Sequence, residues 1–186
     1  MSDQDIARSV SGVIWITGLS GSGKTSLAKK LRSFYLQKGI NPIHLDGDEL
    51  REALNIGNLY DIDSRLSLGM MYARLSQSLA SQGHLVIVST IALFDAIHSF
   101  NREFGHYCEI FLDSELSLLK SIDSKAVYKN ATKVHNSIVG IDIQPQFPKS
   151  PHRIIRDSPV SHDKVNIEEL FLFTLGYMNT KNVKLI

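Results

Sequence analysis

Residues 18–25 read Gly18-Leu19-Ser20-Gly21-Ser22-Gly23-Lys24-Thr25, the pattern G-x-x-x-x-G-K-[ST]. An apolar run, Val13-Ile14-Trp15-Ile16, precedes it, and a helix-like stretch beginning near Lys24 follows. That order of strand, turn and helix is what phosphate binding requires. Glycines let the backbone curl until several N–H groups point at one anion, and the helix N-terminus adds its positive dipole. Lys24 can then reach the β- and γ-phosphates of ATP, and Thr25 can place its hydroxyl on Mg²⁺. Gly18, Leu19, Ser20, Gly21, Ser22, Gly23, Lys24, Thr25 and Ser26 are therefore the candidate nucleotide-binding residues, with Thr25 the candidate metal ligand.

Short apolar runs alternate with helix-length segments along the rest of the chain. Candidate strands are Gly12–Thr17, Asn41–Leu45, His84–Ser89 and Cys108–Leu112, with a weaker one at Arg153–Ile155. A continuous apolar run such as Leu85-Val86-Ile87-Val88 implies burial on both faces, as in a parallel sheet. Helical patterns cover Thr25–Gln37, closed by Gly39, and Leu66–Gln82, closed by Gly83, then Phe94–Phe104, Ser114–Ile122 and Asn166–Met178. The alternation predicts an α/β fold of three layers, the P-loop NTPase architecture, with a parallel sheet and helices on both faces. Ligands in such sheets sit at the carboxyl ends of the strands, where the glycine-rich loop, Asp46 and Ser89 all fall.

With 186 residues and no internal repeat or low-complexity linker, the chain is expected to form one domain over residues 1–186. Twenty basic residues against 19 acidic ones give a net charge of +1, which makes no electrostatic case for nucleic acid or membrane as partner. Met1–Ser11 is polar, without the apolar stretch of a secretory signal, and no run approaches the length of a membrane span, so cytoplasm is the default compartment. A lone cysteine, Cys108, lies in an apolar strand and reads as a buried structural thiol. The region from Asp123 to Pro151 differs from the rest: polar, aperiodic, and carrying Lys125, Lys129, Lys133 and Lys149. A long irregular segment late in a small nucleotide-binding domain is expected to serve as a lid that excludes water.

A second motif follows the second strand: Leu45-Asp46-Gly47-Asp48-Glu49-Leu50-Arg51, then Leu54-Asn55. Asp46 is placed to accept the proton of an attacking hydroxyl, or to hold the water shell of Mg²⁺. Arg51 can clamp an anionic group on the acceptor, since guanidinium matches phosphate oxygens bidentately. The structural alternative is an Asx-type turn with Asp48 as helix N-cap.

The two motifs together resemble adenylylsulfate kinase, which phosphorylates the ribose 3′-hydroxyl of adenosine 5′-phosphosulfate. The likeness continues through Val86-Ile87-Val88-Ser89-Thr90-Ile91, Glu109-Ile110-Phe111-Leu112-Asp113, Asp123 to Lys129 and Gly140-Ile141-Asp142, and so spans roughly residues 12–148. The resemblance implies ATP and Mg²⁺ as cofactors and a small-molecule nucleotide as acceptor. It implies Lys24 and Asp46 as catalytic residues. Asp48, Arg51, Asn55, Arg65, Ser89, Lys125, Tyr128 and Ile138 become the acceptor and lid positions. Oligomeric state is not written in the sequence, and the resemblance allows a homodimer.

The departures from that family's pattern cluster on the acceptor side. Its E-N-x-R-R run is here Ser67-Leu68-Gly69-Met70-Met71, and its F-T-G-I-D motif, whose phenylalanine stacks on adenine, is Ile138-Val139-Gly140-Ile141-Asp142. Aromatic stacking on a base is worth about 1–3 kcal/mol, which isoleucine cannot supply. The lid arginine of R-D-P-K-G is Ile122, and the serine of F-I-S-P-Y-R is Ala92. An intact donor side with an altered acceptor side is similar to the cytidine diphosphoramidate kinase branch, which acts on a CDP-linked acceptor in capsule modification. A third reading is an NTP-binding regulatory module without catalysis.

The remaining chemistry-bearing residues read as structural. His44 and His84 lie at strand ends, and His98, His106, His135, His152 and His162 read as surface or loop residues with no metal-ligand spacing. Trp15 reads as core, and Arg102 either approaches phosphate or forms a surface ion pair.

Overall fold

The computed structural model describes residues 10–56, 61–122, 128, 138–156 and 165–180. Strands β1 (Val10–Gly18), β2 (Ile43–Asp46), β3 (Leu85–Thr90), β4 (Tyr107–Asp113), β5 (Arg153–Arg156) and β6 (Asn179–Thr180) form one sheet of order β2-β3-β1-β4-β5, with β6 antiparallel to the start of β1. The other pairings are parallel. Helices α1 (Lys24–Gln37), α2 (Gly47–Ala53), α3 (Ile62–Ser81), α4 (Asp95–Arg102), α5 (Leu116–Ile122) and α6 (Ile167–Leu175) connect or follow the strands.

Strand alternation divides the core in two. Ile14, Ile16, Leu85, Ile87, Cys108, Ile110 and Leu112 face Leu27, Leu31 and Tyr35 of α1 and Phe171 of α6. Their neighbours Val13, Trp15, Leu45, Val86 and Val88 face Leu68, Tyr72 and Ala73 of α3 and Ile97 of α4. Residues alternating along one strand thus serve opposite layers, which is why the strands read as continuous apolar runs. Trp15 is fully buried in the second layer. The expected three-layer architecture is the one observed.

Two helices stop as the glycines predict. Gly39 (φ 77°) and Gly83 (φ 95°) are left-handed. The N–H of Ile40 donates to the Tyr35 carbonyl and that of His84 to the Leu79 carbonyl. Each is a Schellman turn that sends the chain toward the next strand. The sequence reading did not mark α2 or β6 as elements, and it started α3 four residues late. Asp61 caps α3, its carboxylate accepting from the Ser64 N–H at 2.8 Å, a polar start that lies ahead of the apolar periodicity.

Connections from β1 run toward β2 on one side, while β3 connects across β1 to β4 on the other. The order reverses between β1 and β3, and the crevice at the carboxyl ends of those two strands is where such a sheet binds ligand.

Candidate active site

The glycine-rich loop closes β1 in a conformation other residues could not share. Gly21 (φ 75°) and Gly23 (φ 87°) are left-handed. A Cβ on Gly18 (φ 155°) would stand 2.7 Å from the Leu112 carbonyl oxygen. Gly23 is the N-cap of α1, so the first N–H groups of that helix face the loop. The Lys24 ammonium folds over the loop and donates to the Leu19 carbonyl at 2.7 Å. Leu19 is buried, Ser20 and Thr25 are half-buried, and Ser26 is exposed on the first turn of α1.

Asp46 ends β2 and caps α2: its Oδ1 accepts from the N–H of Asp48 at 3.0 Å and of Glu49 at 3.4 Å. The sequence reading gave the capping alternative to Asp48; the cap is Asp46, because the backbone leaves the strand at Asp46 itself. Asp48 instead sits exposed in the first turn with Glu49, where both complement the helix dipole, and Arg51 sits in the last turn. Asp46 Oδ2 accepts from the Thr25 hydroxyl at 2.7 Å and from the Ser89 hydroxyl at 2.6 Å. Burial pushes the Asp46 carboxyl up, but the bonds from Ser89, Thr25, Asp48 and Glu49 outweigh it and hold it below the usual carboxylate range. Asp46 is thus ionised at neutral pH although only 4% exposed.

The register explains this meeting. Asp46 pairs with Ser89 across two parallel strands, so both side chains point to the α1 face, where Thr25 begins the helix. His44, two residues before Asp46, shares that face, and its Nε2 lies 2.9 Å from Ser89 Oγ. The sequence analysis reads His44 as structural; its period-two spacing to Asp46 is the signal that places it on the face of the site. Tyr72 of α3 was also missed: its hydroxyl donates to the Gly47 carbonyl at 3.2 Å, bracing the start of α2. Burial pushes that phenol up to about 12.

The structure brings Lys24, Thr25, Asp46 and Ser89 together and adds Tyr128, whose hydroxyl donates to the Ser20 carbonyl at 2.8 Å. Asn55 lies just past α2 with a left-handed φ of 50°, and Arg65 lies in the first turns of α3. Ile138 turns inward, 8% exposed, into an apolar cluster with Leu19, Phe111, Leu119, Tyr128 and Ile143. Leu68 and Met70, in the place of the polar run, join the core under α3. Lys125 and most of the lid's 123–137 portion lie outside the described residues.

His98 departs from the surface-or-loop reading, whereas His152 lies half-exposed in the loop before β5. His98 is 4% exposed, with Nδ1 2.7 Å from Glu109 Oε1 and Nε2 3.0 Å from the Gln146 carbonyl oxygen. His152 Nδ1 accepts from the Glu109 N–H at 2.9 Å. Arg102 settles as an ion pair with the buried Glu109, at 3.1 Å. Polar residues on a short helix read as surface from sequence because the carboxylate they enclose sits in a distant strand.

Oxygen donors at the strand ends suit Mg²⁺, which binds through one or two protein oxygens and the substrate's phosphates. Thr25 Oγ1 and Asp46 Oδ2, 2.7 Å apart beside the loop, fit that requirement. No cluster of three or more His, Cys, Asp or Glu suited to a metal occurs among the described residues, and no helix among them is long and apolar enough to cross a membrane.

Comparison with known proteins agrees with this geometry. Residues 10–156 match the family model described as adenylylsulphate kinase. The chain is 38% identical over 140 residues to the cytidine diphosphoramidate kinase of Campylobacter jejuni, covering 74% of this chain and 82% of that one. It is 35% identical over 147 residues to the adenylyl-sulfate kinase of Pseudomonas aeruginosa, covering 75% and 74%. The APS kinase CysC of Mycobacterium tuberculosis, solved in complex with AMPPNP and APS, superposes with a TM-score of 0.78 at 29% identity over 88% of this chain and 97% of that chain. A loop, a carboxylate and a sheet order of this kind, matched over most of the chain's length, make it a member of the adenylylsulfate kinase family of P-loop kinases.

Proposed function

We propose that the chain transfers the γ-phosphate of ATP to the ribose 3′-hydroxyl of a nucleotide acceptor, of which adenylylsulfate is the family's type. The observation that carries this reading is the ionised Asp46 carboxylate held 2.7 Å from the Thr25 hydroxyl, at the mouth of the phosphate loop. Phosphoryl transfer asks a protein mainly for positioning and electrostatics. Lys24 exchanges the Leu19 carbonyl for the β- and γ-phosphates and stabilises charge on the transferring group. Thr25 and Asp46 would hold Mg²⁺ and its water, and the ion, when bound, would supply charge neutralisation for the phosphates. Asp46 orients the attacking hydroxyl and takes its proton, directly or through water. Arg51 and Arg65 grip the acceptor, Tyr128 joins the lid to the loop through Ser20, and Lys125 belongs to the lid.

A second acceptor class is favoured by one observation. Ile138 buries its side chain among Leu19, Tyr128 and Phe111 and so presents no ring on which adenine stacks. A CDP-linked acceptor, with a smaller base, asks less of that position, and the Campylobacter jejuni relative bears such a name. The deciding assay is ADP release from Mg-ATP with adenylylsulfate, with a cytidine diphosphate derivative, or with no acceptor, the product identified by mass. Acceptor-dependent release on either compound supports transfer and assigns the acceptor. Release that no acceptor accelerates defeats the kinase reading in favour of a nucleotide-binding module.

A further inference from the structure

We infer that His44 is a positioning residue for phosphoryl transfer, fixing the Asp46 carboxylate through the hydroxyl of Ser89. This rests on the kinase reading for its catalytic consequence, whereas the hydrogen-bond arrangement stands without it.

Ser89 has one hydroxyl proton and lies between two partners, Asp46 Oδ2 at 2.6 Å and His44 Nε2 at 2.9 Å. The Asp46 carboxylate is ionised and can only accept, so the Ser89 proton goes to Asp46. Ser89 therefore accepts from His44, and the His44 ring must carry its proton on Nε2. The imidazole N–H occupies the lone pair of Ser89 and leaves the hydroxyl, 2% exposed for the residue as a whole, one direction in which to donate. The chain runs His44 to Ser89 to Asp46, with Thr25 meeting Asp46 on the same oxygen.

The sheet builds this row. His44 and Asp46 are two apart on β2, hence on one face, and Ser89 stands beside Asp46 on β3. Lys29 and Arg32 of α1 and Glu49 of α2 face the His44 ring along with Asp46.

The test uses the full-length chain and two readouts. Long-range ¹H–¹⁵N NMR of the ring nitrogens reports the tautomer without nucleotide or acceptor; the expected result is Nε2–H, and an Nδ1–H tautomer overturns the inference. In turnover, His44→Ala is expected to lower kcat about tenfold with KM for ATP unchanged, because orientation of a reacting group is lost and not binding. His44→Gln, which keeps an N–H donor at similar reach, is expected to restore most of kcat. In a Ser89→Ala background His44→Ala should have no further effect on kcat, since the link is already cut. Unchanged kcat in His44→Ala, or additive losses in the double variant, overturns the positioning role. Absence of acceptor-dependent turnover in the unaltered chain defeats the kinase reading, and the tautomer alone then decides the hydrogen-bond relay.

Discussion

Asp46 has two jobs in this structure, and two substitutions separate them. Its Oδ1 caps α2 through the N–H groups of Asp48 and Glu49, while Oδ2 faces the hydroxyls of Thr25 and Ser89 at the loop. Asp46→Ala removes both. Loss of an N-cap costs about 1 kcal/mol, and a buried hydroxyl left without its charged partner costs about 1–2 kcal/mol more. Ser89 retains His44 as a partner, which places the total near 2 kcal/mol. For a chain of this size that lowers Tm by about 4–8 °C. Asp46→Asn keeps the cap, because an amide oxygen accepts the same two N–H bonds, and turns its NH₂ toward hydroxyls that can rotate to accept. Its stability is expected within about 1 kcal/mol of the parent, since Asn and Asp cap equally well. Turnover is expected to fall by a factor of about 10² to 10⁴ in both, the usual effect of removing a positioned proton acceptor. Urea unfolding, ADP release and calorimetric ATP titration give the three numbers. An Asn variant that turns over at half the parent's rate would refute the reasoning and leave Asp46 a helix cap. Loss of ATP binding in step with turnover would make it a binding residue.

The remaining predictions concern two buried side chains of β4. Glu109, fully buried against His98 and Arg102, leaves the Arg102 guanidinium and the His98 ring without their carboxylate when changed to Ala, at a cost of about 3–5 kcal/mol read as urea-unfolding free energy. Burial pushes the Glu109 carboxyl up, yet the His98 and Arg102 contacts win and hold it below the usual range. Its stabilisation is therefore complete above the ordinary carboxylate pKa and is lost as pH falls through the depressed folded-state value, a loss the Glu109→Ala variant should not show. Cys108 is fully buried and its thiol is pushed up to about 12 by burial and by Glu109, so a disulfide reagent at pH 8 should titrate no thiol in the folded chain and one after unfolding.

The five parallel strands and the layer order were legible because burial on both faces leaves continuous apolar runs, and because Gly39 and Gly83 announce where helices end. Elements whose reason is tertiary were not. α2 spans seven residues with only Gly47 buried, so it has no apolar stripe, and it persists on the Asp46 cap, the flanking charges and the Tyr72 brace. β6 is two residues long and pairs with the first residues of β1, a contact between opposite ends of the chain that local pattern cannot reveal. His98, expected at the surface or in a loop, is buried for the same cause: its carboxylate partner Glu109 lies 11 residues away in another element.

The site divides along the same line. Its donor half is local: eight consecutive residues and the first turn of one helix make the phosphate cradle, so the motif carries the chemistry within itself. The half proposed for the acceptor draws on β2, β3, α2, α3 and residues 138–143, and each of its residues has meaning only through the packing that joins these elements. Asp46 stands out in the sequence as one of two carboxylates straddling a glycine at a strand end and through the family resemblance; Ser89 stands out only as a strand end; His44 reads as structural until the register sets Asp46 beside Ser89. The substitutions that set this chain apart fall in that distributed half. Leu68 and Met70 pack into the core under α3 and Ile138 into an apolar cluster, at positions where the family resemblance has polar and aromatic residues. A phosphate loop contained in one motif and a pocket distributed over several elements can be repacked independently, the arrangement from which one phosphate-transfer fold can serve different nucleotides.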